Sequence, residues 1–323
     1  MFRRTFNFCL AALLAGAACA PALADTYPSR PIKVISPFPA GGATDVLTRI
    51  LAEHMGKDLN QSLIVENKAG AGTTIGAAYV SREQPDGYTI LMATNSTLVT
   101  NRFLYKSLPY DPDGFAPIGM VGIGPLVLLS SPKQPFKNTG ELVAYAKQHP
   151  GKLTFASFGP GTSSHLAGEL FKEQAGVDIL HVPFKGATQA LPALISGDVD
   201  IFFDMVATGM PQAKAGKIHV FGITSKTRLP SEAQLPTLAE EGYPKFDMSA
   251  WFSFVAPKGT PPEVLARLQQ ALQNTLKDET VRAKMLDMGI DPRSGRADEL
   301  LAQIASEQPI IQQLVKQANV ALQ

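Results

Sequence analysis

The sequence predicts an α/β protein of two lobes, each a mostly parallel sheet flanked by helices, with the chain crossing twice between them. Three observations carry this. Short apolar runs alternate with helix-period stretches in the order β-α-β-α-β, the pattern of a parallel sheet covered on its faces. The same order returns later in the chain. Two longer apolar runs, 116–130 and 250–256, sit where the chain would leave the first unit and come back to it.

In the first unit, Ile32–Ser36 reads as a buried strand closed by Pro37-Phe38-Pro39-Ala40-Gly41-Gly42. Val46, Leu47, Ile50, Leu51 and Met55 share one helical face, which predicts a helix over 43–57. A strand at Leu63–Glu66, a helix over 73–82 stopped by Pro85-Asp86-Gly87, and a strand at Tyr88–Ala93 follow. The second unit has a strand at Leu153–Ala156, a glycine-rich loop from Phe158 to Ser164, and a helix over 165–174. A strand at Ile179–Val182, a helix over 188–196 and a strand at Val199–Phe203 complete it. At an offset of 120, Phe38 meets Phe158, Gly41 meets Gly161, Val46 meets Leu166 and Leu51 meets Phe171. Gly119, Gly122 and Gly124 punctuate the first crossing run. After the second, Thr260 suits an N-cap with Pro261 at the first helical position, ahead of a Val264-Leu265-Leu268-Leu272 stripe. The stretch 296–322 reads as helical apart from Pro309. The implied division is one discontinuous lobe, 25–122 with 250–323, and a second lobe, 123–249.

The first 24 residues read as a signal peptide. Arg3 and Arg4 precede an uncharged apolar run, and Ala22-Leu23-Ala24 offers small residues for cleavage before Asp25. The run is shorter than the ~20 apolar residues a bilayer span needs. Arg3-Arg4-Thr5-Phe6 resembles a twin-arginine signal, but Asn7-Phe8 departs from its usual continuation, so both export routes stay open. Cys9 and Cys19 both lie in this leader, so the mature chain has no disulfide, thiolate nucleophile or cysteine-bound metal. Gly16 stands where a lipid-attachment signal at Cys19 would carry a large aliphatic residue, which argues against a lipoprotein. Losing the two leader arginines turns 29 basic residues into 27, against 28 acidic ones. That balance argues against nucleic acid as a partner.

In parallel α/β sheets, ligands sit beyond the carboxyl ends of the strands. The turns containing Gly41, Gly42, Gly159 and Gly161 are at that edge, and each feeds a helix start whose free N–H groups and dipole favour an anion. Thr44, Thr162, Ser163 and Ser164 add hydroxyls, and Lys185 a counter-charge. Asp45, in a first helical turn, would repel a bare carboxylate. Enzyme motifs are missing. The 70–76 stretch misspaces a dinucleotide fingerprint, there is no P-loop lysine, and Ser163-Ser164-His165 lacks the nucleophile elbow. The five histidines show no paired metal spacing.

Eight segments in order resemble the Bug-type solute receptors of tripartite tricarboxylate transporters. They are Tyr27–Ile32, PFPAGGATD (37–45), NKAGAGTTIGA (67–77), PDGYTIL (85–91), GPGTSSHLAGE (159–169), VPFKGATQAL (182–191), LPTLAEEGY (235–243) and WFSFVAPKGTPPEV (251–264). The resemblance implies a type II Venus-flytrap fold with two hinge crossings, located in the periplasm. It implies a monomer, without enzymatic activity, cofactor or metal, that delivers a small carboxylate to membrane transporter subunits. By motif position, the ligand contacts would be Phe38, Pro39, Ala40, Gly41, Gly42 and Asp45 on one lobe. Gly159, Gly161, Thr162, Ser163, Ser164, Lys185, Gly186 and Ala187 would face them, with Thr74, Gly76, Asn95, Ser96 and Asp204 at the remaining loop tips. Two alternatives share these features: a secreted serine hydrolase using Ser163 or Ser164, and a ligand-sensing subunit of a signalling system.

Overall fold

In the computed structural model, which describes residues 27–318, the first unit runs β1 (Ile32–Ser36), α1 (Ala43–Leu59), β2 (Leu63–Asn67), α2 (Thr74–Val80), β3 (Thr89–Thr94). The expected leader, with both cysteines and the cleavage point, lies outside the described residues. A short helix α3 (Asn101–Leu104) leads into β4 (Phe115–Ser130) and α4 (Thr139–Gln148). The second unit is β5 (Thr154–Ser157), α5 (Ser163–Ala175), β6 (Leu180–Pro183), α6 (Ala187–Ser196), β7 (Ile201–Met205). Then come α7 (Val206–Lys214), β8 (His219–Ile223), β9 (Ser249–Pro257), α8 (Pro262–Lys277), α9 (Glu279–Asp287), β10 (Asp291–Pro292) and α10 (Ala297–Ala318).

The strand order is β2-β1-β3-β9-β4-β7-β5-β6. In both units the first strand lies in the middle, parallel to the other two: β1 between β2 and β3, β5 between β6 and β7. An antiparallel strand closes each set, β9 against β3 and β4 against β7. The repeat visible in the letters is therefore a repeat of topology. Each unit has a switch point at the carboxyl end of its central strand, where an open α/β sheet forms its crevice. β4 belongs to both sets: Phe115–Pro125 pairs with β9, and Leu126–Ser130 with β7 and β8. Trp251, Phe252 and Phe254 on β9 and Phe155, Phe202 and Phe203 in the second unit are buried, so both sheets carry packed apolar faces.

Some details differ from the expectation. Val46 is 40% exposed, whereas Leu47, Leu51 and Met55 face the core; the buried stripe of α1 is narrower than its apolar pattern suggested. Pro261, not Thr260, caps α8, and the Thr260 hydroxyl donates instead to Pro257 O at 2.7 Å. α10 runs through Pro309 without ending there.

The loop after β1 is held by Asp45. Its carboxylate accepts from the Gly41 amide (2.9 Å), Arg49 Nε (3.0 Å) and Asn67 Nδ2 (2.7 Å). Asn67 Nδ2 also donates to Phe38 O at 2.9 Å, so the end of β2 ties down both ends of the turn. Burial alone would raise the Asp45 pKa, but the Arg49, Gly41 and Asn67 donors outweigh it and hold it below its ordinary value. A depressed carboxyl pKa adds stability that is present above the unfolded value and lost as pH falls through the folded one. The Asp45→Asn variant should lose about 1–3 kcal/mol near neutral pH, and its deficit in urea melts should shrink below about pH 4. An undiminished deficit in acid would contradict this role.

The β4 glycines have a packing reason. A Cβ at Gly119 would stand 2.1 Å from Gly295 O, and one at Gly122 would stand 2.9 Å from Asp291 O. These backbones let β10 and its flanks lie directly on the crossing strand. Gly119→Ala should therefore destabilise by about 1–3 kcal/mol in denaturant melts, with a neutral result excluding the close approach.

Candidate functional site

Between the lobes, beyond the carboxyl ends of the strands, the loop after β1 meets the loops after β5, β6 and β7. The Phe38 and Phe158 rings touch edge-to-face, with centroids 6.1 Å apart. Beside them lies a cavity walled on one side by Phe38, Pro39, Gly42, Ala43 and Thr44. Phe158, Gly186, Ala187, Thr188, Met205 and Thr208 form the other wall. Its volume is about 20 Å³, room for roughly one water molecule. The lobes are closed on one another, and a larger guest requires them to part.

Three helices start at this cavity. Their N-caps are Gly42 for α1, Gly186 for α6 and Met205 for α7, and none supplies a side-chain acceptor to the first turn. Each helix start leaves unpaired N–H groups carrying the positive end of a dipole. No charged side chain lines the cavity. The arrangement suits a small anion held by backbone and hydroxyl groups. A sequence signal for the α1–α6 pairing exists: both helices begin Gly-Ala-Thr, at 42–44 and 186–188.

The expected residues fall into distinct places. Phe38, Pro39, Gly42, Gly186 and Ala187 come together on the cavity wall with Thr44, while Ala43, Phe158, Thr188, Met205 and Thr208 are wall residues that were not among the expected ligand contacts. Ala40 and Gly41 are exposed on the rim of their turn, and Lys185 is exposed away from the wall. The Gly159–Ser164 loop is otherwise engaged. Thr162 caps α5 by accepting from the His165 amide, and its hydroxyl donates to Gly159 O at 2.7 Å. Ser164 Oγ donates to Phe203 O at 2.5 Å, and Ser163 is buried in the same turn. The Gly161 amide donates to His165 Nδ1 at 3.1 Å, and the Gly159 amide to Ser157 Oγ at 3.0 Å.

Those last two contacts rest on a buried histidine pair. The His165 and His181 rings stack 4.0 Å apart, and Ser157 Oγ lies 2.6 Å from His181 Nε2. Burial, then the neighbouring His181 and Lys172 charges, push His165 down to about 3; burial and Lys172 push His181 down to about 4. Both rings are neutral near pH 7, so His165 Nδ1 is free to accept. The pair clamps the loop. Ser163 is buried, Ser164 is buried and points to a main-chain carbonyl, and Ser157 beside His181 is buried too, so none of the three presents a hydrolytic dyad on an open face.

The clamped loop meets the first lobe along a seam of close backbones. A Cβ at Gly72 would stand 2.0 Å from Pro160 O, and one at Gly161 would stand 2.5 Å from Leu104 Cδ1 and 2.9 Å from Asn101 Oδ1. A Cβ at Gly186 would meet Pro39 Cδ at 2.9 Å. Thr74 and Ser96 are buried behind this seam, and Gly76 packs under Pro37. Asn95 Nδ2 lies 3.5 Å from both Ser249 O and Glu307 Oε1, where burial pushes the Glu307 carboxyl up to about 6. Asp204 is fully buried below α7. Its Oδ1 accepts from the Met205 amide (2.8 Å) and Thr208 Oγ1 (2.9 Å), and burial pushes its pKa up to about 7.

A larger cavity, about 470 Å³, lies against the crossing strands between the Ser225–Ser231 loop and Leu286–Arg293. It shares no residue with the interlobe wall.

Comparison with known proteins agrees with this architecture. Residues 47–320 match the family model described as tripartite tricarboxylate transporter family receptor. BugT of Bordetella pertussis is 37% identical over 290 residues, covering 89% of each chain. The periplasmic binding protein BugD superposes with a TM-score of 0.88 at 37% identity, over 92% of this chain and all of that one. An R. palustris protein solved with adipate gives 0.89 at 31% identity, over 91% of this chain and 99% of the other. MatC of Rhodopseudomonas palustris, solved with malate, gives 0.85 at 32%, over 90% and 100%. The chain therefore belongs to the tripartite tricarboxylate transporter receptor family, periplasmic solute-binding proteins rather than enzymes.

Proposed function

We propose that this receptor captures a small carboxylate in the interlobe cleft and passes it to the membrane subunits of a tripartite tricarboxylate-type transporter. The observation that carries the reading is the convergence of three helix starts without side-chain caps on one cavity lacking charged side chains. Relatives solved with adipate and with malate support a dicarboxylate-sized guest. The carboxylate takes its bonds from the amides of 42–44, 186–188 and the start of α7, with the Thr44 and Thr188 hydroxyls beside them. The Gly159–Ser164 loop and its partners at Gly72 and Asn101 form the closure seam. Binding follows opening at the two crossings, since the closed cavity holds only about one water. We assign 25–122 with 250–323 to one lobe and 123–249 to the other. The change of partner along β4, from β9 up to Pro125 to β7 from Leu126, supports a boundary within a few residues of these. The mature chain acts as a monomer in the periplasm after cleavage near Ala24/Asp25. Only the closed form distinguishes loaded from empty receptor, so closure is what the membrane partner reads.

A thermal-shift screen over adipate, malate, aspartate and aromatic acids tests capture. A true ligand at 100 times its Kd adds about 2.7 kcal/mol of stability. Calorimetry on variants then tests the site. Gly161→Val, whose side chain would strike Leu104 and Asn101 across the seam, should weaken binding about tenfold or more, about 1.4 kcal/mol. Lys185→Met should bind nearly as the parent does. Loss of binding in Lys185→Met, with folded Gly161→Val binding normally, would contradict the backbone cradle.

A further inference from the structure

The carboxyl group of Asp204 has an unusual position. It sits on β7, opposite Val127, and points under the first turn of α7. One oxygen accepts from the Met205 amide and the Thr208 hydroxyl, while Oδ2, fully buried, has no partner. A Cβ added at Gly209 would lie 3.3 Å from Oδ2, 3.3 Å from Val127 Cγ2 and 2.8 Å from Leu129 Cδ1, so the surroundings are apolar. Among the described residues no Lys, Arg or His pairs with it. A buried carboxylate without a cation is strongly disfavoured, and neutralisation is the usual escape.

Both donors to Asp204 belong to residues on the wall of the interlobe cavity, Met205 and Thr208. If that cavity takes a carboxylate, as proposed above, ligand and Asp204 share the positive end of one helix. Two carboxylates at one site cannot both remain ionised cheaply. We infer that the receptor binds its carboxylate together with one proton, and that Asp204 holds that proton on its unpartnered oxygen. The proton comes from solvent, adds to Oδ2, and leaves again when the ligand departs; no bond in the ligand changes. Asp204 is then a positioning residue. Neutral, it keeps Met205 and Thr208 in place without opposing the guest.

Burial already sets Asp204 at about 7, so the ligand's charge need only raise it further for uptake to occur near neutrality. Few other groups compete. From α7 the Thr208 hydroxyl donates to the carboxyl, and a Cβ at Gly209 would meet its Oδ2 together with Val127 and Leu129 of β4. On α5 and β6 the His165 and His181 rings, at about 3 and 4, stay neutral above about pH 5. Glu307, at about 6 beside Asn95 and Trp251, titrates close to this range at a separate place and serves as the control.

The test is calorimetry of the mature chain with adipate and with malate between about pH 6.5 and about pH 8.5, where ordinary carboxylates (about 4) are ionised. The Kd should rise about tenfold across that range, and heats in buffers of different ionisation enthalpy should report about half a proton taken up on average, with the largest uptake just above the free Asp204 value. Asp204→Asn should bind with a flat pH profile, and Glu307→Gln should keep the parental slope. A pH-independent Kd without proton uptake in the parent, or an unchanged slope in Asp204→Asn, overturns the proton-coupled account while leaving carboxylate capture standing. The parent's proton count decides the matter even if Asp204→Asn does not fold. Failure of both acids to bind at any pH contradicts capture itself, and the inference with it.

Discussion

Backbone N–H groups at the starts of α1, α6 and α7 are the constraint on which the rest of the molecule turns. A buried donor without an acceptor costs about 1–3 kcal/mol, so a helix start placed inside a protein needs a cap, water or a guest. α4 and α5 are capped by Asn138 and Thr162. The three helices at the cleft are not capped by a side chain, and they begin with Gly42, Gly186 and Met205. The duplicated sheet delivers these starts to the same place, because in each unit the chain leaves strands at their carboxyl ends and enters helices there. An anion is the partner that satisfies such a place without any basic side chain, which matches the absence of charge on the cavity wall.

Closing the cleft needs backbones that can approach across it, and that need explains much of the glycine in these loops. Gly72, Gly161 and Gly186 each face an atom of the other lobe too near for a Cβ. The loop that carries Gly159 and Gly161 spends its polar groups on itself and on the His165–His181 pair. It is a rigid edge for the first lobe to close against. The second lobe thus divides its work: the turn after β5 makes the seam, and the turns after β6 and β7 present donors. The crossing strands β4 and β9 join the two sheets continuously, and β4 changes partner between Pro125 and Leu126, where the proposed opening would bend the chain.

Much of this was legible from pattern alone. Ile32–Ser36, bounded by Pro37, matches its strand end to end, and the β-α-β-α-β repeat predicted both central strands. α7 escaped notice because Gly209 and Pro211 interrupt its nine residues, and with it went Met205 and Thr208 as cavity residues. α9 buries only Val281 and Met285, too little periodicity to read. Matching the two units at an offset of 120 directed attention to the turn after β5. The Gly-Ala-Thr shared by α1 and α6 was the better pointer to the cavity. Whether Thr162 serves a guest or caps its own helix depends on side-chain geometry, which periodicity does not encode. Asp45 stands among the contacts expected by motif position; only the fold reveals that its oxygens are taken by Gly41, Arg49 and Asn67.

The central claim is that main-chain groups from both lobes hold the ligand. Amide chemical shifts of the isotope-labelled mature chain, followed as adipate or malate is added, test it most directly. The largest downfield shifts are expected at 42–44, 186–188 and 206–207, residues that come together only across the cleft. Shifts centred instead on the cavity between Ser225–Ser231 and Leu286–Arg293, with the three helix starts unmoved, would contradict the account.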